Sequence, residues 1–162
     1  GDYDSARIAN LGVGHGAIDF GAGYTYFNPQ IGWEFSGVAG VTYNFRNPDT
    51  QYQSGMDFHF DWGVSHFINK AIHLGVVGYY LQQFTDDFGA PPAFDGFRSR
   101  VAGVGPQVGF FFPVADMQGY VNLKGYKEFA AQNRPEGWNV WLTVGISEQP
   151  PKAAPKPVVR KY

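Results

Sequence analysis

The chain has 162 residues, enough for one domain and too few for a second large one. Its 22 glycines are about twice the average share, aromatics reach 18%, and charged residues make up 16%, against the ~25% of an ordinary soluble domain. A formal charge of −2 supplies no basic field, so nucleic acid is not an expected partner, and the lack of cysteine excludes disulfide frameworks, cysteine–zinc sites and thiol catalysis.

No stretch approaches the roughly 18 uninterrupted apolar residues of a membrane-spanning helix. Gly1-Asp2-Tyr3-Asp4 lacks the basic start and apolar run of a signal peptide, so either a targeting segment has been removed or the sequence starts inside a longer chain, the second being the favoured expectation. Residues 1–16 are expected to form an extracellular loop, with residues 5–12 as a candidate short strand. Gly12-Val13-Gly14-His15-Gly16 has neither the Lys-Ser/Thr ending nor the following helix of a phosphate-binding loop.

Residues 18–27 alternate weakly. Residues 32–45 alternate cleanly, with Trp33, Phe35, Gly37, Ala39, Val41, Tyr43 and Phe45 set against Glu34, Ser36, Thr42 and Asn44. The next window sets Phe58, Trp62, Val64 and Ile68 against Asp57, His59, Asp61 and Ser65. Residues 74–85 carry apolar groups on both faces, and residues 101–112 and 120–131 alternate weakly. Residues 138–147 again sort cleanly, Trp138, Val140, Leu142, Val144 and Ile146 against Asn139, Thr143 and Ser147. About seven strands follow one another with no amphipathic helix between them. Mid-strand, Gly103-Val104-Gly105-Pro106 predicts a bulge or kink, because proline removes a ladder donor. Residues 148–162, with Pro150, Pro151, Pro155 and Pro157, read as a disordered periplasmic tail.

Connections 28–31, 69–71 and 113–118 are short, whereas 46–55, 86–98 and 132–137 are longer, the asymmetry of outer-membrane barrels. Several strands also exceed the soluble mode of about 5–6 residues and match the 9–11 of a tilted bilayer crossing. Aromatics bunch near strand ends, at Tyr24, Tyr26, Trp33, Phe35, Tyr43, Phe45, Phe58, Trp62, Tyr120, Phe129 and Trp138, as an interfacial girdle requires. The expected fold is all-β, an antiparallel transmembrane β-barrel over residues 17–147; the alternative is an aromatic sandwich core. An odd strand count predicts further strands before Gly1 and a barrel of about 12, unless residues 5–12 close a small, filled barrel.

On the polar face, Glu34, Asp57, His59, Asp61, Lys124 and Glu128 are expected to line a lumen, with Tyr79 and Gln83 as solute contacts. Strand glycines would leave lumen space or permit local coiling. Asp57, His59 and Asp61 place an imidazole between carboxylates, a pattern that serves a base, a metal or, most often, a plain hydrogen-bond network. No G-x-S-x-G or H-E-x-x-H motif occurs, so no enzyme, metal or cofactor is expected. His15, His66 and His73 read as exposed or interfacial.

The run Asn44-Phe45-Arg46-Asn47-Pro48-Asp49-Thr50-Gln51-Tyr52-Gln53-Ser54-Gly55, followed by His59-Phe60-Asp61, resembles the signature loop and strand of the meta-pathway phenol-degradation family of outer-membrane transporters. Gly78-Tyr79-Tyr80-Leu81-Gln82-Gln83, Gly105-Pro106-Gln107, Tyr126-Lys127-Glu128-Phe129 and Asn133-Arg134-Pro135-Glu136-Gly137 extend the likeness over residues 11–147. The resemblance implies a bacterial outer-membrane barrel for passive uptake of small hydrophobic or aromatic compounds, with the lipid bilayer and such solutes as its partners. The alternative is a structural or adhesive barrel acting through loops 46–55 and 86–98.

Overall fold

The computed structural model describes residues 3–7, 10–89 and 97–148. Seven strands run in chain order: β1 (Ala17–Asn28), β2 (Trp33–Asn44), β3 (Asp57–Phe67), β4 (Ile72–Gln83), β5 (Arg100–Val114), β6 (Met117–Gln132) and β7 (Trp138–Glu148). Each pairs antiparallel with its sequence neighbours in one seven-stranded meander, as periodicity predicts, and no second sheet occurs among the described residues. The sandwich alternative therefore lacks its second layer.

Register fixes the faces, because paired residues point the same way and alternate residues point oppositely. Asp19 pairs with Thr42, Thr42 with Asp57, and Asp57 with Gln83, and the same face continues through Gln107 opposite Lys124 to Trp141. This face is concave. Asn139 of β7 donates to Tyr79 Oη of β4 at 3.3 Å, across three strand spacings that would amount to about 14 Å on a flat sheet. The sheet is thus curled into a half-barrel.

Its distribution of polarity is the reverse of a water-soluble domain. The only buried hydrophobic residues described are Val77 and Val101, both on the concave side, while Ser65, His73, Gln83, Gln107 and Asn122 are buried polar groups of the same side. On the convex side Phe20 is 82% exposed and Leu142 65%, with Trp33, Leu74, Val76, Val108, Phe110 and Val144 also exposed. Val77 explains why β4 is ambiguous in sequence, since apolar side chains occupy both of its faces.

Three departures from expectation stand out. Residues 3–7 and 10–16 form turns and bends rather than a strand; Phe45 N donates to Gly16 O at 2.9 Å and Asn47 Nδ2 to Val13 O at 3.4 Å, docking this segment on the following loop. At Gly105-Pro106 the β5–β6 pairing is interrupted without a change of register, and the register shift falls instead between Arg100 and Ala102, opposite Ala130 at φ 56°. Tyr120 leaves the girdle, pointing to the concave side, while the other strand aromatics named with it share the convex parity. The expected tail beyond β7, at 149–162, lies outside the described residues.

Candidate functional site

The concave face holds a polar trough, and all eight sequence-selected residues belong to it by register. One cavity of about 270 Å³ lies between Glu34, Asp61, Ser65, His73, Gln107 and Lys124. A second, about 420 Å³, is walled by Tyr79, Tyr126, Glu128, Arg134, Asn139 and Trp141. Asp61, Lys124 and Tyr126 border both, so the two form one continuous path along the sheet.

Four side chains cross a whole strand to reach partners, and three of them lie over a glycine of the strand they cross. His59 of β3 passes Gly40 of β2 and meets Asp19 Oδ2 of β1 at 2.8 Å. Gln107 of β5 donates to Ser65 Oγ of β3 at 2.7 Å, and here it is the Ser65 side chain that lies against Gly75 of the intervening β4. Tyr79 of β4 passes Gly103 of β5 and donates to Glu128 Oε1 of β6 at 2.6 Å, while His73 passes Gly109 and meets Tyr120 Oη at 3.0 Å. Gly40, Gly103 and Gly109 therefore serve as beds for bridging side chains, whereas the space beside Gly145 on the same face is open. A Cβ at Gly109 would overlap the His73 ring, whereas nothing lies within 4 Å of a Cβ at Gly145. Gly109→Ala is expected to expel the imidazole and destabilise the sheet by about 1–3 kcal/mol, as overpacking does. Gly145→Ala should stay within about 0.5 kcal/mol. Denaturant titration of both variants measures the difference.

The acid–histidine group resolves into a network. Asp19 Oδ2 accepts from Thr42 Oγ1 at 2.6 Å as well as from His59, and His59 Nδ1 stands 4.0 Å from Asp61. Asp57 is held apart by Asn44 Nδ2 at 3.1 Å. Because the Thr42 hydroxyl donates to the carboxylate, His59 activates no hydroxyl there. Lys124 has no ion-pair partner among the described residues and remains the trough's central cation.

Two residues differ from their expected roles. Gln83, expected to touch solute, is 5% exposed; its amide donates to Asp87 Oδ1 at 2.6 Å and to Phe97 O at 3.0 Å, so it ties strand to loop. His73, expected at the surface, is buried at 3% exposure. Gln107, Tyr126 and Trp141 also line the trough and are not singled out by sequence reading. Their parity relative to Lys124 and Asp61 is the available signal, but only once register is known.

At the long-loop end, residues 45–56 and 84–89 interlock through Asp87. Its Oδ1 accepts from Gly55 N at 2.9 Å and from Gln83, and its Oδ2 takes the Tyr52 hydroxyl. Gln53 and Phe88 exchange backbone hydrogen bonds alongside. Burial, and then the Asp87 carboxylate, push the Tyr52 phenol up to about 12. A raised folded value means the folded state holds the proton longer, so this stabilisation is complete below the ordinary value near 10 and is lost as pH climbs from there to about 12. Phenolate absorbance, followed with loop proteolysis, should show the clasp opening in that window and not below it. Nearby, the Arg98 guanidinium, with its Nε 2.6 Å from Asp86 Oδ1, holds the Asp86 carboxyl below its usual range.

No curated protein and no solved structure matches the chain. The signature loop 44–55 is the interlocked segment just described, and the trough residues Asp61, Tyr79 and Glu128 fall within the other quoted motifs. A family model described as "Putative MetA-pathway of phenol degradation" matches residues 1–144, and the chain belongs to that family.

Proposed function

We propose that this half-barrel is part of the wall of a bacterial outer-membrane channel through which small apolar or aromatic solutes pass without covalent chemistry. The observation that carries this reading is the inverted polarity, an exposed apolar convex face around a buried polar concave one. Soluble monomers rarely expose contiguous apolar patches beyond a few hundred Å². In a bilayer the convex residues contact hydrocarbon, and the charges of Asp19, Asp61 and Lys124 face the wet interior. Long strands, short turns at one end and larger loops at the other agree with that placement. Glu34, Asp57, His59, Asp61, Lys124 and Glu128 then line the passage, and Tyr79 presents its ring edge to solute.

Uptake of phenol and toluene into vesicles carrying the full-length protein should exceed uptake into empty vesicles; equal rates would remove the transport claim. The interlocked loops support a second reading, a structural or adhesive barrel whose activity resides in loops 46–55 and 86–98, of which residues 90–96 lie outside the described residues. Deleting the loops would then abolish partner binding and leave permeability unchanged.

A further inference from the structure

Trp141 is the anomaly of the concave face. It is 62% exposed, more than any other large apolar side chain of concave parity, on a surface otherwise given to polar groups. Its orientation is fixed by a relay. The indole Nε1 donates to Asn139 Oδ1 at 2.9 Å, Asn139 Nδ2 to Tyr79 Oη at 3.3 Å, and the Tyr79 hydroxyl to Glu128 Oε1 at 2.6 Å. Glu128 Oε2 accepts from Gly137 N at 2.8 Å at the far end. With its one N–H spent, the indole has only its ring to offer the cavity of about 420 Å³ that it borders. Tyr126 stands there against Tyr79 with ring centroids 5.1 Å apart, and Leu81 and buried Val101 add apolar surface. The volume lies within the roughly 300–1,000 Å³ of small-molecule sites. Beside this platform sits a cation. Lys124 is the register partner of Trp141 and the only lysine or arginine of the described strands with concave parity. Side chains so paired stand about 5 Å apart at Cβ. Lys124 has no ion-pair partner among the described residues. The other charges of the cavity are Glu128, whose two oxygens are engaged, Arg134, and Asp61, which enters from β3 between Val38 and Tyr79 in register.

We propose that this pocket is a subsite for small aromatic acids, the ring stacked on Trp141 and the carboxylate against the Lys124 ammonium. It rests on the channel reading above for its purpose and narrows the solute that reading names. The pocket itself is built by β3 to β7 and the loop after β6, so it needs no other strand. A six-membered ring gains offset stacking on the indole, which the relay holds ready. Its carboxylate, ionised at neutral pH, accepts a charge-assisted hydrogen bond from the one cation that lacks a counter-ion. Repulsion from Asp61 sets the direction, turning the carboxylate toward β6 and β7 and the opposite ring edge toward β3. A neutral ring of the same shape gains the stacking alone and binds more weakly. Because the pocket is open and polar, the outer side of the carboxylate stays hydrated and the pair resembles a surface ion pair, weak enough to release its ligand.

The test uses the full-length protein in detergent, with 4-nitrobenzoate and its neutral isostere 4-nitrobenzamide as quenchers of tryptophan fluorescence. Trp33, Trp62 and Trp138 have convex parity, so Trp141 alone of the four tryptophans reports on the pocket. Quenching by 4-nitrobenzoate should saturate at a concentration several-fold below that needed for 4-nitrobenzamide. The saturable part should vanish in Trp141→Phe, which keeps a ring and guards against a folding failure. Lys124→Met should raise the half-saturating concentration of 4-nitrobenzoate several-fold, and Lys124→Arg, which keeps the charge, should recover most of the affinity. A lysine with a merely structural role would shift both quenchers alike. Saturable quenching that survives in Trp141→Phe, equal affinity for the two quenchers, or an unchanged affinity in Lys124→Met overturns the site. Vesicle uptake separates the two claims. If 4-nitrobenzoate binds as described but neither it nor toluene enters vesicles carrying the protein faster than empty ones, the channel reading fails and the pocket stands.

Discussion

Val76→Arg is expected to prevent the sheet from assembling in a bilayer, at a cost of about 2–4 kcal/mol for an arginine facing lipid near the midplane. Val76 sits mid-strand in β4, convex and exposed, between its partners Val64 and Pro106 on the same face. In water a half-exposed valine tolerates arginine within about 0.5 kcal/mol, because the guanidinium stays hydrated. In hydrocarbon it has neither water nor a counter-charge. Thr143→Arg, on the exposed concave side of β7, is the matched control and should fold like the parent. Urea titration of each protein refolded into vesicles reads the difference. A Val76→Arg protein as stable as the parent would show that the convex face does not meet lipid.

The faces that make this prediction possible are legible in the amino-acid sequence, because β2, β3 and β7 sort their residues with period two, and β2 and β3 carry their carboxylates on one side only. Trp138 to Ile146 against Asn139 and Thr143 needs no tertiary information to be split. Chain order is legible too, since consecutive strands joined by short turns pair with each other. What periodicity cannot reveal is contact between strands that are not neighbours. The partnership of His59 with Asp19, or of Gln107 with Ser65, depends on the register of two ladders at once and on a glycine standing at the crossing. Gln83 escapes the pattern for a related reason: its parity is lumenal, but at the end of β4 the loop folds back and consumes its amide. A histidine at a strand start, such as His73, looks interfacial by position, whereas Gly109 lets its ring lie inward. Loop residues have no period at all, so Asp87 carries no signal.

Asp87→Ala is the second substitution with a large expected effect, confined to the long-loop end. The carboxylate is 7% exposed and receives the Gly55 amide, the Gln83 side chain and the Tyr52 hydroxyl. Hydrogen bonds to a charged group contribute about 1.5–3 kcal/mol each, and donors left unpaired in a buried site lose that and their hydration as well. Their sum overstates the loss, because the freed loops can move out and let water reach all three donors. The expected cost of local opening is therefore on the order of 3 kcal/mol, comparable to one such bond plus one stranded donor. Loops 45–56 and 84–89 should become sensitive to protease while the strands stay protected, since the sheet's own ladders do not pass through Asp87. Asp87→Asn retains an acceptor oxygen for one donor and should fall between the two. Equal protease resistance in parent and alanine variant would mean that the backbone bridge between Gln53 and Phe88 holds the loops without the carboxylate.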